Sequence, residues 1–195
     1  MGSEMCIRDR NLIERVIGEG KQAIVLIPEI SLTYQNISRF RQRFGRRVSV
    51  MNSRMSDGER YDQYIQAKNG EIDIMIGPRS ALFAPFSKLG IIIIDEEQDG
   101  AYKSDTMPKY HAIDVAIRRT AMSGGKVILG SATPSVVTYD RACRGLYGLH
   151  RLSERAADGS DMAAVEVIDL REELKQKNYS IFSRRLQEEI RQKLE

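Results

Sequence analysis

Thiol chemistry is almost absent from this chain: Cys6 and Cys143 are its two cysteines, far apart and without the paired spacing of zinc ligands. A disulfide framework is excluded beyond one long loop, no zinc site is expected, and a reducing cytoplasm is the expected setting. Long apolar runs are also missing. The longest, residues 23–27 and 91–94, fall far short of a bilayer span, and no charged-then-apolar leader opens the sequence, so we expect a soluble, unexported protein with no membrane partner. Neither sign of charge dominates. Thirty Lys and Arg stand against 27 Asp and Glu, a balance that neither demands nor excludes a polyanionic partner. Internal repeats and low-complexity tracts are lacking too. What is present is 195 residues of 42% hydrophobic content, enough for one α/β domain, or one and a fraction, around a sizeable core.

The chain is organised around residues 90–99, GIIIIDEEQD. Four consecutive isoleucines cannot alternate one face in and one face out. The run therefore reads as a strand buried on both faces, the habit of a parallel sheet covered by helices. Ligands of open α/β sheets bind beyond the carboxyl ends of the strands, where a stiffly held carboxylate can hold Mg²⁺ on nucleotide phosphates. Asp95 is the candidate metal-side acid and Glu96 the candidate water-polarising base. The plain alternative is a strand running into an acidic helix cap.

Residues 1–10 (MGSEMCIRDR) show neither helical nor strand periodicity and are read as a foreign or disordered leader. From Asn11, the residues Leu12, Ile13, Val16 and Ile17 fall at helical spacing, and Gly18 and Gly20 end the helix. Residues 22–27 form the first strand, followed by a helix with Ile37, Phe40 and Phe44 on one face. Ser31 or Thr33 would cap it and leave backbone N–H groups open as a phosphate cradle. The arginines crowding its far end (39, 41, 43, 46 and 47) read as a solvated face with dipole compensation. Residues 48–51 form a second strand, Ser56 and Glu59 a capping box, and residues 72–76 a third strand ending at Gly77-Pro78-Arg79-Ser80. Arg79 and Ser80 suit phosphate contact, with a helix cap and a surface arginine as the alternative.

Tyr102, Lys103 and Tyr110 lie in a loop mixing aromatics with bases, which suits base stacking and backbone pairing, although local packing explains two tyrosines equally well. His111 opens the next helix and is assigned no chemistry. Residues 127–129 are a strand whose exit, GSATPS, places Thr133 as cap and Pro134 at the first helical position, leaving Ser131 free. Further on, residues 155–161 read as a loop, 165–168 as a last strand, and 180–195 as a helix with Phe182, Leu186, Ile190 and Leu194 in line.

Taken together, IPEISLT (27–33), GPRSALFAPF (77–86), IIDEEQD (93–99), PKYHAIDVA (108–116) and GSATPS (130–135) resemble, in order and spacing, the first motor domain of the PriA family of superfamily 2 replication-restart DNA helicases. The resemblance implies a RecA-like three-layer α/β domain with a mostly parallel sheet over residues 11–150, incomplete at its N-terminus. Residues 151–195 would end that domain and lead toward a second motor domain. It implies ATP and Mg²⁺ as cofactors, 3′ to 5′ unwinding of DNA at stalled or abandoned forks, and the start of primosome assembly. Asp95 would bind Mg²⁺ through the nucleotide and Glu96 activate water. Gln98, Ser131 and Thr133 would couple hydrolysis to strand movement. Thr33, Arg79 and Ser80 would contact the DNA backbone, while Tyr102, Lys103 and Tyr110 would sense single-stranded DNA. Forked and single-stranded DNA, primosome proteins and single-strand-binding protein are the implied partners.

Three departures stand out. No G-x-x-x-x-G-K-[ST] phosphate loop occurs in the chain, and residues 1–10 stand where the resemblance places it. Gln98 replaces the family's more usual His. The family's zinc-binding cysteines and second motor domain would lie beyond residue 195, so the chain is expected to be an inactive fragment. The strand preceding the phosphate loop is expected beside the Asp95 strand, and its absence to leave that strand with an open edge and an aggregation-prone fold. Two other readings stay open: another superfamily 2 translocase of repair or recombination, and a non-catalytic α/β binding module in which Asp95 simply ends a strand.

Overall fold

The computed structural model describes residues 3–29, 32–152 and 165–194. It divides into two compact units, Met1–Glu154 and Arg155–Glu195. The first is a five-stranded, all-parallel sheet in the order β2-β3-β1-β4-β5. Its elements are α1 (Ser3–Gly18), β1 (Gln22–Leu26), α2 (Tyr34–Phe44), β2 (Val48–Val50), α3 (Asp57–Asn69), β3 (Ile74–Gly77), β4 (Leu89–Ile94), α4 (Ala112–Ser123), β5 (Lys126–Leu129) and α5 (Val136–Cys143).

The isoleucine run behaves as its sequence demands. Ile91 and Ile93 enter a core with Ile13 of α1 and Phe40 of α2, while Ile92 and Ile94 enter a second core with Ala67 of α3 and Ile113 and Ala116 of α4. All four are 0–4% exposed. Burying each contributes about 1.5–3 kcal/mol, so β4 is a principal anchor of the sheet. The three-layer, RecA-like α/β architecture is thus present, with helices on both faces.

Glycines permit two close approaches. A Cβ on Gly90 would lie 2.7 Å from Val16 Cγ1, where α1 crosses β4, and one on Gly77 would lie 2.8 Å from the Met51 carbonyl oxygen.

Several expectations are corrected. The Asp95 strand has no open edge: β4 pairs with β1 on one side and β5 on the other. Among the described residues it is β2 and β5 that pair on one edge alone, and the side chains of β5 are half-buried or exposed. The isoleucine run specifies two buried faces, but it does not name the neighbouring strands. Residues 3–10 are not irregular but continue α1, whose helical hydrogen bonding carries the 11–17 pattern backward. Thr133 does not cap α5. Ser135 does, accepting the Thr138 N–H at 3.3 Å, so the helix begins two residues later than expected. Thr33 caps α2 as expected, accepting from Asn36 at 3.3 Å, whereas Ser31 lies outside the described residues. Among the far-end arginines, Arg43 bonds Glu14 and Asn11, and Arg47 pairs with Asp73.

The second unit holds α6 (Leu170–Lys175) and α7 (Arg184–Leu194). Glu173 joins them, accepting the Asn178 side-chain amide at 2.6 Å and the Arg184 N–H at 3.1 Å. Residues 165–168 form no strand. Val165 and Val167 are 85% and 91% exposed, and a β-branched pair without a neighbouring strand to bond has nothing to pair with. The final helix starts at 184 rather than 180 because Ser183, not Ser180, accepts the Leu186 N–H. The loop expected at 155–161 lies outside the described residues. No described helix is long and apolar enough to cross a membrane.

Candidate functional site at the strand exits

Because every strand is parallel, the carboxyl ends of β1, β3, β4 and β5 open on one edge. Asp95 leaves β4 there, fixed by its N–H on the Leu26 carbonyl (2.9 Å), and Gly130 leaves β5 with its N–H on the Ile94 carbonyl (2.8 Å). The half-buried Asp95 carboxylate accepts the Glu96 N–H at 2.9 Å. Its pKa is pushed up from 3.8 to about 6, first by burial and then by the charge of Glu96. Among the described residues no cation offsets that cost. A carboxylate so placed is suited to a bound divalent ion.

Glu96 adopts a left-handed conformation, φ +48°, which costs an ordinary side chain roughly 1–2 kcal/mol and turns the loop sharply at the acid. Its Oε2 accepts the Gln98 side-chain amide at 2.8 Å. The Gln98 carbonyl oxygen in turn accepts the Ser131 hydroxyl at 2.6 Å, and Ser131 Oγ accepts the Thr133 N–H at 2.9 Å. Gln98, Ser131 and Thr133, separated in sequence, are therefore brought into one series with the acid.

Two acids missed by sequence reasoning also belong here. Asp9 of α1 is 8% exposed, and its pKa is pushed up to about 7 by burial and by the charge of Asp95. The signal for it was helical spacing: Asp9 lies four residues before Ile13, and extending the helix backward would have placed it. Glu97 is 3% exposed and accepts the Ser135 N–H (2.6 Å) and the Thr138 hydroxyl (2.9 Å). No local pattern announces partners 38 and 41 residues away.

Beside the acids, a cleft of about 290 Å³ is lined by Pro28, Glu29, Arg79, Ser80, Tyr102 and Tyr110, among others. Arg79 donates to the carbonyls of Ala101 (3.2 Å) and Lys103, and its guanidinium lies 5.4 Å from the centre of the Tyr110 ring. Tyr110 packs edge-on against Phe83 at 5.5 Å. The Ser80 carbonyl accepts the Tyr64 hydroxyl at 3.4 Å, and Lys103 is exposed. Thr33 is exposed with its hydroxyl spent on the α2 cap.

Tyr102 is the correction. Expected to meet single-stranded DNA, it is 1% exposed, and its hydroxyl donates toward the carbonyls of Asp95 (2.7 Å) and Leu26 (3.1 Å). Its ring is core. It rivets the loop to the exits of β1 and β4, while Tyr110 remains on the cleft.

Among the described residues no cluster of three or more His, Cys, Asp or Glu side chains could hold a metal by protein ligands alone. Asp95 fits an ion whose remaining ligands come from phosphates and water, as Mg²⁺ prefers.

The family model for the DEAD/DEAH box helicase matches residues 10–142. Relatives named replication restart protein PriA come from Bacillus subtilis (48% identical over 182 residues), Chlamydia pneumoniae (45% over 179) and a Synechocystis strain (45% over 176). These alignments cover 91%, 91% and 88% of this chain and 22%, 24% and 21% of those proteins, so the chain spans less than a quarter of their length. With the model spanning most of the sequence and the sheet to match, the chain belongs to the DEAD/DEAH box helicase family.

Proposed function

We propose that this chain is the first motor domain of an ATP-dependent 3′ to 5′ DNA helicase that unwinds stalled or abandoned replication forks and starts primosome assembly for restart. The observation that carries the reading is the hydrogen-bonded series Glu96–Gln98–Ser131–Thr133, which ties the acid loop after β4 to the loop after β5. The names of the relatives support the restart role.

Asp95 would hold Mg²⁺ on the nucleotide phosphates, where the ion would supply positive charge to the transferring phosphoryl group. Glu96 is held at Oε2 by Gln98, leaving Oε1 to take a proton from the attacking water. Because Gln98 bonds Glu96 and Ser131 at once, a shift of the β5 exit loop is felt at the base. Arg79, Ser80 and Tyr110 border the cleft where a DNA strand would lie, the exposed Lys103 follows Tyr102 in the chain, and Thr33 stands at the start of α2.

Forked and single-stranded DNA, primosome proteins and single-strand-binding protein are the partners in this reading, and the cytoplasm its setting. Zinc would belong to the C-terminal part of the whole protein. The 195-residue chain contains no phosphate-loop lysine, so by itself it is expected to show no DNA-stimulated hydrolysis.

In a full-length protein carrying this segment, unwinding of a forked duplex and DNA-stimulated ATP hydrolysis should appear together. Arg79→Ala should weaken single-strand binding and reduce the salt slope by about 0.7, one phosphate contact. A full-length protein inert toward ATP in the presence of single-stranded DNA contradicts the reading. So does an Arg79→Ala variant with unchanged affinity and slope.

A further inference from the structure

Glu97 is the acid of the DEEQ turn that the proposed chemistry does not use, and it is the most buried of the three. Burying a carboxylate is costly unless donors surround it. Here three do: the Ser135 N–H at 2.6 Å on Oε1, and the hydroxyls of Ser135 (3.2 Å) and Thr138 (2.9 Å) on Oε2. The Glu97 N–H adds a fourth bond, to the Gly130 carbonyl at 3.0 Å. The loop after β5 is therefore gripped at both ends, at Gly130 and at Ser135, by one residue of the acid turn. Ser131, which bonds Gln98, lies in the arc between those grips.

We propose that Glu97 is a positioning residue that holds the loop after β5 in register with the acid turn, so that Ser131 meets Gln98 and Gln98 meets Glu96. Its flanking position makes this direct: Glu96 and Gln98 are its chain neighbours, so a displaced Glu97 carries both with it. A helix cap alone would need only the Ser135 hydroxyl on the Thr138 N–H, which is already present without Glu97. The inference rests on the hydrolytic reading of Glu96, and its test keeps the two apart.

Two variants are compared in a full-length protein carrying the segment. Glu97→Ala removes all three acceptor contacts, whereas Glu97→Gln keeps the size and the Oε1 acceptor for the Ser135 N–H. Glu97→Ala should lower kcat for DNA-stimulated ATP hydrolysis by about tenfold or more, as misplaced catalytic groups do. The KM for ATP should move by less than about twofold, since binding is untouched. Glu97→Gln should restore most of kcat.

Independently of hydrolysis, in the 195-residue chain the Gln98 side-chain amide resonances should move toward free-glutamine positions in Glu97→Ala and stay near their original positions in Glu97→Gln. A Glu97→Ala variant that keeps full kcat per folded molecule overturns the proposal, as does one whose Gln98 amide resonances do not move. If the full-length protein hydrolyses no ATP at all, the helicase reading fails and the Gln98 resonances alone decide the positioning role.

Discussion

Ser131 donates its hydroxyl to the Gln98 side-chain carbonyl at 2.6 Å, joining residues 33 positions apart at the exits of β5 and β4. Both ends are fixed by strands that pair directly, so the bond reports their relative position. Because the pair is open to solvent, its net worth is modest. A double-mutant cycle of Gln98→Ala and Ser131→Ala should give a coupling energy of about 0.5–1 kcal/mol in denaturant unfolding. Strict additivity would mean the bond does not exist in solution.

Tyr102 separates packing from recognition. Tyr102→Phe should cost about 1–3 kcal/mol by taking the hydroxyl donor from the Asp95 carbonyl, the Leu26 carbonyl keeping the Asp95 N–H, and Tyr102→Ala about 3–5 kcal/mol by opening a cavity. Neither should change the salt slope of single-strand binding by a longer protein. Urea unfolding checks the first claim, and a Tyr102→Ala variant within about 0.5 kcal/mol of the parent would refute it.

The pH dependence follows from Asp9 and Asp95, whose folded pKa values, about 7 and about 6, lie above the ordinary 3.8. A raised carboxyl contributes stability that is whole below pH 3.8 and lost as the pH climbs through the folded value. The thermal midpoint should therefore fall between pH 4 and pH 8. Glu29 and Glu59, held below 4.5 mainly by hydrogen bonds from Ser53 and Ser56 respectively, act in the opposite direction only up to about pH 5 and leave the fall above it to Asp9 and Asp95. Asp9→Asn should flatten the profile and stabilise the chain at pH 8 by on the order of 2–4 kcal/mol. A midpoint that rises across the window contradicts the burial of these acids.

How much of this was legible in the sequence varies with the range of the interaction. The isoleucine run, the Ser56 capping box and the Thr33 cap are short-range patterns, and each appears where expected. Strand order is not local. Nothing within residues 90–95 says that β1 and β5, rather than an earlier strand, lie alongside. Thr133 and Ser135 are both cap candidates two residues apart; Ser135 takes the cap, and its further bonds to Glu97, 38 residues upstream, are invisible to a local pattern. Tyr102 looked like a recognition aromatic because the sequence shows a loop, not the two carbonyls waiting beneath it.

The central claim is that Glu96 is the base of an ATP-hydrolysing motor, and Glu96→Gln in a full-length protein carrying this segment tests it most directly. The substitution keeps size and leaves Asp95 on the metal, so ATP affinity should stay within about twofold while kcat falls by about 10²-fold or more. Near-normal turnover in Glu96→Gln would contradict the account.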